Sequence, residues 1–123
     1  MKTVLVVEDE PPIANYIAEV LCSYDYNALA LYDPADALEH VKAIRFDAAL
    51  LGINMPNMGG IELGVRIRNV LPDCGIIVGI EDLLDDSEQN TLRSTHGFDY
   101  LPEPFGLEDL LTKVFCLLAA IEG

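Results

Sequence analysis

At 123 residues the chain has the length of one ordinary domain, with room for one hydrophobic core. Hydrophobic residues supply 51% of it and charged residues 23%, a globular composition rather than a disordered one. Acids outnumber bases 21 to 7, and the net charge of −14 argues against nucleic acid and anionic membrane as direct partners.

Thr3 to Val7 (TVLVV) is a continuous apolar run, the pattern of a strand covered on both faces. Ile13, Ile17, Val20 and Leu21 then fall on one face of a helix, with Pro11 and Pro12 suited only to its entry. Asn27 to Leu31 predicts a short strand. Asp33-Pro34 marks a helix start, with Asp as N-cap, and Ala37, Leu38, Val41 and Ile44 form its inner face. Ala48 to Ile53 predicts another covered strand, ending in the turn-rich segment Asn54 to Gly60.

Leu63, Ile67, Val70 and Leu71 repeat the helical spacing, and Gly75 to Ile80 (GIIVGI) predicts a fourth strand. Leu84 to Thr95 predicts a polar helix with Leu92 almost alone on its apolar face. A strand at Asp99 to Leu101 follows, then a loop, then a broadly apolar helix from Leu107 to Ile121. Strands alternating with helices over short connections imply one α/β domain over residues 1–123, a doubly wound parallel sheet.

Lys2 is followed by an apolar run that stops at Glu8, unlike a signal peptide, and no apolar run approaches the ~18 residues of a membrane span. A cytoplasmic chain is expected. Cys22, Cys74 and Cys116 are odd in number and widely spaced, so reduced thiols used as small apolar side chains are expected.

In such a sheet, sites form at the carboxyl ends of the strands. The residues there are Glu8, Asp9 and Glu10; then Gly52, Ile53 and Asn54; then Ile80 and Glu81; then Pro102 to Phe105. The three adjacent acids allow two readings. They are solvated acids favoured by the dipole of the following helix, or they are hard-cation ligands.

Three stretches now stand out by order and spacing. They are Val4-Leu5-Val6-Val7-Glu8-Asp9-Glu10-Pro11, then Phe46-Asp47 to Pro56 with Met58-Gly59-Gly60-Ile61-Glu62-Leu63, then Gly97 to Phe105 with Leu107-Glu108-Asp109-Leu110. Over its whole length the chain resembles the CheY-like receiver domain of two-component response regulators. The resemblance implies a flavodoxin-like sheet of order 2-1-3-4-5 with helices on both faces.

Receivers of this kind use an acidic pair for Mg²⁺, an aspartate acceptor ending the third strand, a hydroxyl ending the fourth and a lysine after the fifth. A carboxylate nucleophile needs that metal and cation to neutralise the charge gathering on the phosphoryl oxygens. The resemblance places the acidic pair on Glu8 and Asp9, and the backbone carbonyl ligand on Asn54. It places the acceptor on Gly52, the hydroxyl on Ile80 and the lysine on Glu103, none of which can do the work. Asp47 lies at the other end of its strand, roughly 16 Å from Gly52 at ~3.3 Å per residue, and cannot replace the acceptor.

Tyr100 matches the switch aromatic, but Ile80 offers no hydroxyl to trigger it. The resemblance also implies a cis Glu103-Pro104 bond. The expectation is a degenerate receiver, not an enzyme, that serves as a phosphorylation-independent protein-interaction module. It needs no cofactor and holds Mg²⁺ weakly at most. Its implied partners are signalling proteins or a second copy, met at the fourth helix, fifth strand and fifth helix. A metal or small-ligand sensor built on the acidic pocket is the alternative. Phe115 on the last helix either belongs to an exposed apolar strip or fills the core.

Overall fold

The computed structural model describes residues 1–52, 55, 58–80, 85–102 and 105–122, with the side chains of 80 and 120–122 outside that description. Five strands form one parallel sheet: β1 (Thr3–Val7), β2 (Asn27–Leu31), β3 (Ala48–Leu51), β4 (Gly75–Ile80) and β5 (Asp99–Pro102). Their order is β2-β1-β3-β4-β5, as expected for the doubly wound sheet. Val7 stands opposite both Leu31 and Leu51, so the carboxyl ends of the three strands finish level.

Helices α1 (Pro11–Ser23), α2 (Pro34–Ala43), α3 (Gly60–Val70), α4 (Asp86–Asn90) and α5 (Leu107–Glu122) connect or follow the strands. The alternation of strand side chains divides the core in two. Leu5 and Val7 join Ala37 and Val41 of α2 and Leu63 and Ile67 of α3 on one face. Val4 and Val6 join Ala14, Ile17 and Leu21 of α1 and Leu110, Val114 and Leu118 of α5 on the other. The continuous apolar runs are thereby explained: both faces of each central strand are covered.

Local chemistry sets the helix starts. Asp33 caps α2 by accepting from the Ala35 amide at 3.2 Å, and Pro34 follows it, as the sequence predicts. Asp85 and Glu88 form a reciprocal capping box on α4, a signal the sequence carried and the hydrophobic pattern did not reveal.

Some expectations are corrected. In α1 the inner face is Ala14, Ile17, Ala18 and Leu21, while Ile13 is exposed and Val20 half-buried. Ile44 leaves α2 as its exposed C-cap, and Val70 is exposed at the end of α3. β3 stops at Leu51 rather than Ile53. The fourth helical segment is a short α4 followed by a π-helical turn, Thr91–His96, closed by Gly97 at φ 69°. Leu92 is indeed its only buried residue among those described. Of the thiols, Cys74 is buried, but Cys22 and Cys116 are exposed rather than packed as apolar side chains.

Candidate functional site

The site is built where β1 and β3 end. The Gly52 amide donates to the Val7 carbonyl at 2.9 Å, and the Glu8 amide donates to the Leu31 carbonyl at 3.1 Å. Those two bonds extend the ladder by one residue and set Glu8 and Gly52 side by side. The Glu8 carboxylate leans over Gly52: its Oε2 lies 2.7 Å from where a Cβ at position 52 would stand. On another side, a Cβ on Gly60, the first residue of α3, would stand 2.5 Å from the Gly52 carbonyl oxygen. Gly52 is boxed between a helix start and an acidic side chain. A cavity of about 10 Å³, room for about one water, lies beside Glu8, Gly52, Gly79 and Phe105.

Asp9 and Glu10 are exposed. Glu10 is the N-cap of α1, contributing its backbone carbonyl and no side-chain cap bond. Both acids stand where negative charge is favoured, near a helix N-terminus. Among the described residues, no three His, Cys, Asp or Glu side chains converge on a point that could hold a metal ion. Magnesium asks for a near-octahedral set of hard oxygens. Glu8 and Asp9 alone do not supply it, and Glu8 is turned onto Gly52. Asn54, Glu81 and the Glu103-Pro104 bond lie outside the described residues, as does the side chain of Ile80.

Tyr100 occupies the middle of β5, half-buried against the core face shared with α2 and α3. The Arg93 guanidinium and the Lys113 ammonium each lie 5.5 Å from its ring centroid. Asp99 ties both cations, Lys113 at 3.0 Å and Arg93 at 3.7 Å, and also accepts from the Tyr100 amide at 2.8 Å. This clamp was missed in the sequence, because its members come from three elements and share no spacing.

The far end of the sheet is different. Asp47 accepts from the Thr3 amide at 2.8 Å, while its own amide donates to the Thr3 carbonyl at 2.8 Å. Asp47 is therefore a structural tie between β1 and β3. It is not brought near Gly52, as the sequence expectation required. Beside it, burial pushes the Cys74 thiol up to about 12, with the Arg68 guanidinium opposing the rise and Asp47 adding to it.

Phe115 is 66% exposed, which resolves its two readings in favour of the surface. It flanks an open groove of about 600 Å³ together with Leu111, Tyr24 and Tyr26. No described helix is long and apolar enough to cross a membrane.

The model of the response regulator receiver domain matches residues 4–115. Response regulator MprA of Mycobacterium ulcerans is 31% identical over 115 residues, which cover 94% of this chain and 49% of that protein. The chain thus spans about half the length of the curated relatives it matches. A CheY-like receiver domain protein from Methanospirillum hungatei shares the fold with a TM-score of 0.87, at 24% identity over 99% of this chain and 97% of that one. Response regulator TrrA from Thermotoga maritima, solved in complex with Mg(2+)-BeF, matches with a TM-score of 0.79 and 29% identity, covering 95% and 99% of the two chains.

Proposed function

This chain belongs to the response regulator receiver domain family, and from that premise we propose that it acts in two-component signalling without taking up a phosphoryl group. The observation that carries the proposal is at position 52. Glycine provides no nucleophile there, and the neighbouring carboxylate of Glu8 stands 2.7 Å from where a side chain would begin. Two substitutions in the sequence support it. Ile80 in the hydroxyl position and Glu103 in the lysine position leave nothing to neutralise a transferring phosphoryl group.

The domain, residues 1–123, then works as a protein-interaction module rather than an enzyme, and it requires no cofactor. Its partner is a signalling protein or a second copy, met on the face of α4, β5 and α5, where Arg93, Asp99 and Lys113 present both signs of charge around Tyr100. With a net charge of −14, nucleic acid and anionic membrane are not its direct partners, and a cytoplasmic location belongs to the same reading.

The test is intact mass after incubation with acetyl phosphate and Mg²⁺. The expected spectrum is unchanged. A gain of one phosphoryl group that is lost in mild alkali would overturn the proposal. The divalent-cation sensor reading makes a separate demand, a saturable heat in calorimetry with Mg²⁺ alone, and none is expected.

A further inference from the structure

Resting on that reading, we infer that Glu8 holds the place of the missing acceptor side chain, so that positions 8 and 52 act as one unit that closes the site from within. The registry comes first. Val7 and Leu51 are paired, the Gly52 amide is bound to the Val7 carbonyl at 2.9 Å, and so Glu8 and Gly52 are neighbours one residue beyond the ladder. Adjacent strands lie about 4.8 Å apart, a gap that a glutamate can cross with its two methylenes. Its Oε2 ends 2.7 Å from the ideal Cβ of position 52, close to the two-bond span between an aspartate's Cβ and its own carboxylate oxygens.

The same distance sets what a side chain at 52 would meet. On its other side Gly52 faces the start of α3, where only a glycine at 60 leaves its carbonyl oxygen room, a Cβ there standing 2.5 Å from it. A side chain placed at 52 would start 2.7 Å from Oε2 of Glu8 and has to move that carboxylate aside, and an aspartate there would also meet a like charge. Glycine at 52 is what lets Glu8 lie where it does. Restoring the acceptor alone, by Gly52→Asp, consequently leaves the site blocked, whereas pairing it with Glu8→Asp, one methylene shorter, makes room.

The test is a set of thermal melts on the parent chain, Gly52→Ala, Glu8→Ala and the double variant. The φ of Gly52 is outside the left-handed region, so alanine fits its backbone, and without Glu8 the change should raise the melting temperature by about 2–4 °C. With Glu8 present that gain should vanish or reverse. Equal shifts in the two backgrounds, to within about 1 °C, would overturn the pairing. If a variant does not fold, the amide resonance of Gly52 in the parent and in Glu8→Asp supplies the answer: displacement supports the pairing and identity refutes it. Phosphoryl uptake by the parent would sink the functional reading while leaving the melting cycle untouched.

Discussion

Two acids sit at opposite ends of neighbouring strands, and they have been used in opposite ways. Asp47, at the amino end of β3, has its carboxylate on the Thr3 amide and its own amide on the Thr3 carbonyl, both at 2.8 Å. The corner around it is finished: Arg68 donates to the Cys74 carbonyl at 2.9 Å and its guanidinium lies 5.3 Å from the Phe98 ring centroid. Glu8, at the carboxyl end of β1, leans instead over Gly52, its Oε2 2.7 Å from where a side chain there would begin. One acid ties the sheet together; the other fills a place. The difference shows that a carboxylate's role in this fold follows from which end of the sheet it occupies and what its neighbour lacks.

The largest expected effect breaks the carboxyl corner. Gly60→Ala drives a Cβ to 2.5 Å from the Gly52 carbonyl oxygen, a backbone atom that cannot step aside. Overpacking of this kind costs about 1–3 kcal/mol, to be read from urea unfolding. At the amino corner, Asp47→Ala strands the partly buried Thr3 amide, and a loss of about 1–2 kcal/mol is expected in the same measurement. Asp47→Asn, which keeps an acceptor oxygen, should recover most of it.

A pH experiment sharpens the same corner. The Cys74 thiol has its folded pKa raised from 9.0 to about 12, so the stability this thiol contributes is fully present below pH 9. Above that the unfolded chain ionises first, and the contribution is lost as pH rises toward 12. Between neutral pH and about pH 10 the loss should be about 1–2 kcal/mol beyond that of Cys74→Ala, measured side by side. The smallest effect is expected away from both corners. Phe115→Ser, at a position 66% exposed, should change stability by no more than about 0.5 kcal/mol.

The sheet was legible because its central strands are buried on both faces, so runs such as Thr3–Val7 and Gly75–Ile80 needed no partner to be recognised. The inner face of α1 was misread for a physical reason. Ala14 and Ala18 are small enough to lie against the sheet, and the larger Ile13 and Val20 mislead a pattern that weighs residues by hydrophobicity. The assignment of the acceptor position to Gly52 came from the family resemblance, residue by residue, and not from spacing alone. The lean of Glu8 over that residue could not be read from the sequence, since it depends on the register of β1 on β3 and on the absence of a Cβ. The clamp on Tyr100 was equally hidden, because Arg93, Asp99 and Lys113 meet only once β5 lies beside the π-helical turn and α5.

Whether the domain signals without phosphoryl transfer is tested most directly by amide NMR during titration with Mg²⁺ and beryllofluoride, a stand-in for the phosphoryl group. A domain whose acceptor place is filled by Glu8 shows no saturable shifts at Glu8, Gly52 or Tyr100. Saturable shifts that begin at Gly52 and reach Tyr100 would contradict it, because they would mean that the strand ends still bind the group and still pass the signal to β5.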